Sequence, residues 1–189
     1  VIFMFFEVIK AFGFIFIAEM GDKSQILAMA FATKYSVKKV LLGIFIGALL
    51  NHAIAVALGS LFSQLIPVNV ISIIAGLAFI LFALWSLKYD DSDESIKKKS
   101  KYGPVVTVAL AFFIGELGDK TQLATIALSA SSEYPLFILI GTVSAMFVTG
   151  ALAIYVGIKL GNKIPDFFMK LGAAVIFFTF GFIKLYSSL

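Results

Sequence analysis

Long apolar runs, interrupted by short polar clusters, set the plan of this chain. A membrane-spanning helix needs about 20 apolar residues, and on that measure the pattern predicts six helices: 3–33, 40–62, 68–88, 104–130, 135–158 and 167–187. Short turns, Ser63-Gln64 to Pro67 and Ser131-Ser132-Glu133-Tyr134-Pro135, separate runs that would otherwise be nearly continuous. Residues 1–18 read as part of the first helix rather than as a removable leader. The expected fold is an all-α integral membrane protein.

Two of the polar interruptions match. Glu19-Met20-Gly21-Asp22-Lys23-Ser24-Gln25 returns as Glu116-Leu117-Gly118-Asp119-Lys120-Thr121-Gln122, 97 positions later. One further residue in the second copy brings Gly43 onto Gly141, Gly59 onto Gly157 and Pro67 onto Pro165. The chain is thus a duplicated three-helix unit, residues 1–88 and 104–189, joined by a charged linker at 89–103 into one domain overall. Three is odd, so the second unit enters the membrane from the opposite face, and the expected architecture is two inverted repeats whose matched motifs meet near the midplane. Gly21 and Gly118 sit between the acids of each motif. They allow either close helix approach or a break that frees backbone carbonyls, and the expected fold has the motif helices 1 and 4 broken near the midplane.

Composition agrees with the pattern: 61% of the 189 residues are hydrophobic and only 14% are charged, against about 25% charge in an ordinary soluble domain. With no Cys, disulfides and thiolate metal sites are excluded. The net charge of +4 rests on 15 Lys, and Lys beside membrane spans is explained by topology better than by nucleic acid. Lys34, Lys38 and Lys39, then Lys88, Lys97, Lys98, Lys99 and Lys101, then Lys159, Lys163 and Lys170 fall in alternate loops. Loops 63–67 and 131–135 carry none. The positive-inside rule therefore puts the 89–103 linker in the cytoplasm and both termini outside, in a cell inner (plasma) membrane. The linker reads as a solvated hinge, with anionic-lipid contact as the alternative.

Charge inside the spans carries the chemistry. An Asp or Lys at mid-membrane costs roughly 2.5–3.5 kcal/mol, so Glu19, Asp22, Lys23, Glu116, Asp119 and Lys120 need a compensating role. On a helix, Glu19, Asp22 and Gln25 share one face, as do Glu116, Asp119 and Gln122. Lys23 and Lys120 stand four residues from their Glu. Four carboxylates with amide and hydroxyl oxygens form a hard-oxygen donor set suited to Mn²⁺, Ca²⁺ or Mg²⁺. Clustered buried carboxylates hold protons that such a cation displaces, which is the chemistry of cation/proton exchange. The structural alternative is interhelical pairing alone, which two symmetric copies make the weaker reading.

The paired Glu-x-Gly-Asp-(Lys or Arg)-(Thr or Ser) motif in a duplicated three-helix chain resembles the family of transmembrane protein 165 and yeast Gdt-one, whose bacterial members include a manganese exporter. The resemblance covers essentially the whole chain. It implies exchange of Mn²⁺ or Ca²⁺ for protons, with Glu19, Asp22, Glu116 and Asp119 as cation ligands and proton carriers. Lys23 and Lys120 match its basic position, and Ser24 and Thr121 its hydroxyl position; Gln25 and Gln122 join the ligand set on helical geometry. The expectation is a secondary transporter, not an enzyme, that exports a divalent cation against incoming protons. Mn²⁺ or Ca²⁺ is its substrate, and no resident cofactor is expected. A Ca²⁺/H⁺ antiporter or a passive cation channel is the alternative, an intramembrane hydrolase a more distant one, and a monomer suffices for one site.

Other polar positions carry less. His52, beside Asn51, has Gly150 at its matched position and reads as an interhelical hydrogen-bond partner ahead of a proton relay. Glu7 and Lys10 read as a pair at the outer end of the first helix. Phe12 to Phe16 and Phe177-Phe178 read as lipid-facing or packing surface, and Trp85 and Tyr89 as part of an interfacial belt.

Overall fold

The computed structural model describes residues 2–67 and 102–160, together with scattered helical positions between 70 and 84 and between 175 and 186. The fold is all-helical, with no strand among the described residues. Among the described residues six helices can be bounded, in order: α1 (Ile2–Glu19), α2 (Lys23–Ala32), α3 (Val37–Leu65), α4 (Pro104–Gly115), α5 (Lys120–Ala130) and α6 (Pro135–Leu160). They are not the six predicted spans. The first span is α1 plus α2 and the fourth is α4 plus α5, each divided at its motif; the second and fifth are α3 and α6. Most of the third and sixth spans, the 89–101 segment, Trp85 and Tyr89 lie outside the described residues.

Among the described residues, two helices are long and apolar enough to cross a membrane, Val37–Leu65 and Pro135–Gly157. Both start where the sequence supplies a stop for the preceding turn. Ser36, in extended conformation, opens α3, and Pro135 opens α6, where its missing N–H costs nothing. Pro104 opens α4 in the same way.

Packing pairs each divided helix with the long helix of the other half: α3 lies along α4 and α5, and α6 lies along α1 and α2, with α3 also against α6. Small residues allow the backbones to approach closely. A Cβ on Gly43 would collide with Val108 and the Val105 carbonyl, and one on Gly141 with Ala11 and the Val8 carbonyl. These contacts occupy matched positions in the duplicated sequence, Val8 with Val105 and Ala11 with Val108. Two apolar clusters flank the motifs. Phe14, Ile15, Leu128, Ile138 and Met146 centre one; Phe31, Val40, Ile44, Val108 and Phe112 centre the other. Phe12 stacks on Phe16 and Phe14 is buried, so this stretch is packing surface. Glu7 and Lys10 form an ion pair of 2.6 Å on α1.

Candidate cation site

Both motifs interrupt their helices in the same way. After Glu19 the chain makes two tight turns, Met20 N–H to Ile17 O and Asp22 N–H to Glu19 O; after Glu116 it repeats them, Leu117 N–H to Ile114 O and Asp119 N–H to Glu116 O. Gly21 and Gly118 supply the left-handed backbone, with φ of 79° and 74°. A Cβ on Gly118 would meet nothing within 4 Å. Of the two roles open for this glycine, close approach is therefore excluded and the break is what requires it. Gly118→Ala is expected to cost about 1–2 kcal/mol through backbone strain alone, seen as a lower thermal unfolding midpoint in detergent.

The break changes what the spacing meant. Gln25 and Gln122 do not line a continuous helical face with the acids. Gln25 Oε1 accepts from Gly21 N–H at 3.0 Å and Gln122 Oε1 from Gly118 N–H at 2.7 Å, so each amide closes the turn of its own motif. Asp119 stands at the N-cap position of α5 but makes no side-chain capping bond. Its carboxylate turns instead toward the other motif.

Three acids meet across the two motifs. One carboxylate oxygen from each of Glu19, Asp22 and Asp119 lies within 4.8 Å of the others. Oxygens on opposite sides of an ion bound at roughly 2.4 Å stand roughly 4.8 Å apart, so the group is of a size to hold one divalent cation. Glu19 is fully buried and Asp119 is 8% exposed. Ser24 donates its hydroxyl to Glu19 Oε2, while Glu19 Oε1 has no hydrogen-bond partner among the described residues. Lys120 of the second motif reaches Asp22 of the first, Nζ to Oδ2 at 2.6 Å. The group thus brings three carboxylates and the Lys120 ammonium together.

The fourth acid stands apart. Glu116 is 2% exposed but lies outside the three-carboxylate group. Thr121, which matches Ser24, has no hydrogen-bond partner for its hydroxyl among the described residues. The Lys23 side chain lies outside the described residues. The two motifs therefore repeat in backbone and differ in side-chain arrangement.

Asn51 and His52 of α3 lie beside the second motif. His52 is an interhelical hydrogen-bond partner, its Nδ1 2.8 Å from Thr125 Oγ1. Thr125 was not singled out by sequence; the available signal was its place one turn after Thr121 on α5.

Comparison with known proteins follows the same lines. The family model described as "Divalent cation/proton antiporter GDT1" matches residues 7–94 and 104–189. A Vibrio cholerae protein named "Putative manganese exporter" is 33% identical over 153 residues, covering 79% of this chain and 75% of that protein. The Arabidopsis thaliana "GDT1-like protein 5" is 27% identical and covers 91% of this chain and 92% of its own length. Another Arabidopsis protein, "Protein PAM71-homolog, chloroplastic", is 28% identical over 90% of this chain, which spans 56% of that relative. No solved structure matches the chain.

Proposed function

This chain belongs to the divalent cation/proton antiporter GDT1 family, a family of membrane transporters, and from that premise we propose that it exports a divalent cation from the cytoplasm in exchange for protons. Mn²⁺ is the first candidate, supported by the name of the Vibrio cholerae relative; Ca²⁺ is the second. The observation that carries the reading is the group formed by Glu19, Asp22 and Asp119, drawn from both motifs and lacking any sulfur or imidazole donor. These three hold the cation directly, and Gln25 and Gln122 close the breaks around it. No resident cofactor takes part; the ion is cargo.

The proposed architecture is a six-helix transporter of two inverted repeats in a bacterial-type plasma membrane, with the termini outside and the 89–103 linker cytoplasmic. The motif breaks lie near the midplane, and one chain suffices. Transport follows from competition for the same oxygens: protons arriving from outside neutralise the carboxylates and release the cation, and the cation displaces them on the cytoplasmic side.

The test is metal-driven proton movement in proteoliposomes carrying a pH-sensitive dye. Mn²⁺ on one side is expected to drive protons to it in wild type and not in Glu19→Gln plus Asp119→Asn. Equal signals from wild type and variant would remove the site, and cation flux indifferent to a pH gradient would favour a passive channel.

A further inference from the structure

Breaking a helix releases backbone groups that a membrane interior cannot hydrate, so something in the protein must satisfy them. At the second break Leu117 N–H turns to Ile114 O, and the Phe113 carbonyl loses the amide that a continuous helix would give it. Asn51 of α3 donates Nδ2–H to that carbonyl at 3.4 Å, a long bond. The next residue, His52, reaches across the break to α5. There Thr125 donates its hydroxyl to the Thr121 carbonyl at 2.8 Å. A hydroxyl has one hydrogen, so toward His52, also at 2.8 Å, the Thr125 oxygen is the acceptor and Nδ1 carries the proton. Asn51, His52 and Thr125 are all fully buried.

Consecutive side chains of α3 thus hold the end of α4 and Thr125 of α5, whose hydroxyl bonds back to Thr121 in the turn that carries Lys120. The first break has no counterpart at the matched positions. Asn51 corresponds to Thr149, which donates to Met146 O of its own helix. His52 corresponds to Gly150, and Thr125 to Ala28, so no side-chain hydrogen bond can form between them. We infer that Asn51 and His52 are positioning residues that splint the second motif break, holding Asp119 and Lys120 toward Glu19 and Asp22, while the matched positions at the first break carry no such brace. His52 carries most of the effect, because its bond is the shorter and leads through Thr125 into the motif turn. The inference rests on the cation site proposed above for its consequence in transport, but not for the splint itself.

Hydrogen exchange on the full chain in lipid nanodiscs reads the splint without any cation. In His52→Ala, amides 117–123 are expected to exchange roughly three- to tenfold faster than in wild type, the loss of one buried hydrogen bond. Amides 20–25 are expected to stay unchanged. Thr125→Val, which removes the hydroxyl with little change of volume, should give the same result and add nothing to His52→Ala. His52→Asn keeps a donor on the Nδ1 side and should remain near wild type, whereas His52→Gln should behave like His52→Ala. In proteoliposomes the His52→Ala change is expected to raise the cation KM by a similar factor with kcat altered less. Unchanged exchange at 117–123, equal acceleration at 20–25, or rescue by Gln in place of Asn would each overturn the splint. A wild-type protein that moves no cation, with the exchange pattern as expected, would instead overturn the transport reading and leave the splint standing.

Discussion

Asp22→Asn and Asp119→Asn, each alone, are expected to slow proton-coupled cation movement on the order of 100-fold, whereas Glu116→Gln should be several-fold milder. The amide retains an oxygen for the ion but removes one of the charges that make the group attractive to a divalent cation. A loss of ~3 kcal/mol is modest for a full charge at contact distance in a medium of effective dielectric near 20, and corresponds to about 100-fold. Asp22 and Asp119 come from different motifs yet lie in one group with Glu19. Either change therefore disables the whole site, and a half-active Asp22→Asn would mean that each motif works alone. Glu116 lies outside that group, so its loss should leave the three-carboxylate set in place. Initial rates of Mn²⁺-dependent proton movement in proteoliposomes, with each variant reconstituted at equal density, separate these outcomes.

Lys120→Met is the second large effect. The ammonium contacts Asp22 at 2.6 Å, with both side chains about 15% exposed. Removing one partner of a largely buried pair leaves an uncompensated charge, typically costing about 3 kcal/mol or more. The apo protein should therefore unfold at a lower temperature. The same removal takes one positive charge from beside the three carboxylates. Divalent cation binding is expected to tighten at least about tenfold, with a larger stabilisation by Mn²⁺ than in wild type. Release then becomes slow, and turnover falls even though affinity rises. Calorimetric binding together with transport rates on one preparation checks this; weaker binding in Lys120→Met would show that the ammonium assists the ion rather than competing with it.

Much of this was legible in the sequence because the membrane constrains it. The spans predicted at 40–62 and 135–158 are α3 at Val37–Leu65 and α6 at Pro135–Leu160, since apolar length and the flanking Ser36 and Pro135 fix such helices almost by themselves. That Glu19, Asp22 and Asp119 would lie together was legible from the cost of charge in an apolar run. The breaks in helices 1 and 4 were expected with close approach as the other role for glycine; the left-handed φ of Gly21 and Gly118 decides between them. Once the helix is broken, angular spacing no longer describes the motif. That is why Gln25 and Gln122 close turns at Gly21 and Gly118 instead of extending the polar face. Glu116 was placed with the other acids by the symmetry of the repeat. Side chains need not obey that symmetry, because His52 and Thr125 face the second motif where Gly150 and Ala28 occupy the matched positions. A pattern match between halves detects what they share, and the splint lies in what they do not.

The central claim, one cation site built jointly by two motifs, is tested most directly by locating the ion. Anomalous scattering at the manganese edge from crystals grown with Mn²⁺ should give a single peak within bonding distance of carboxylate oxygens from both Asp22 and Asp119, with Glu19 completing the set. Two separate peaks, one at each motif, or a peak bonded to only one of them, would contradict it.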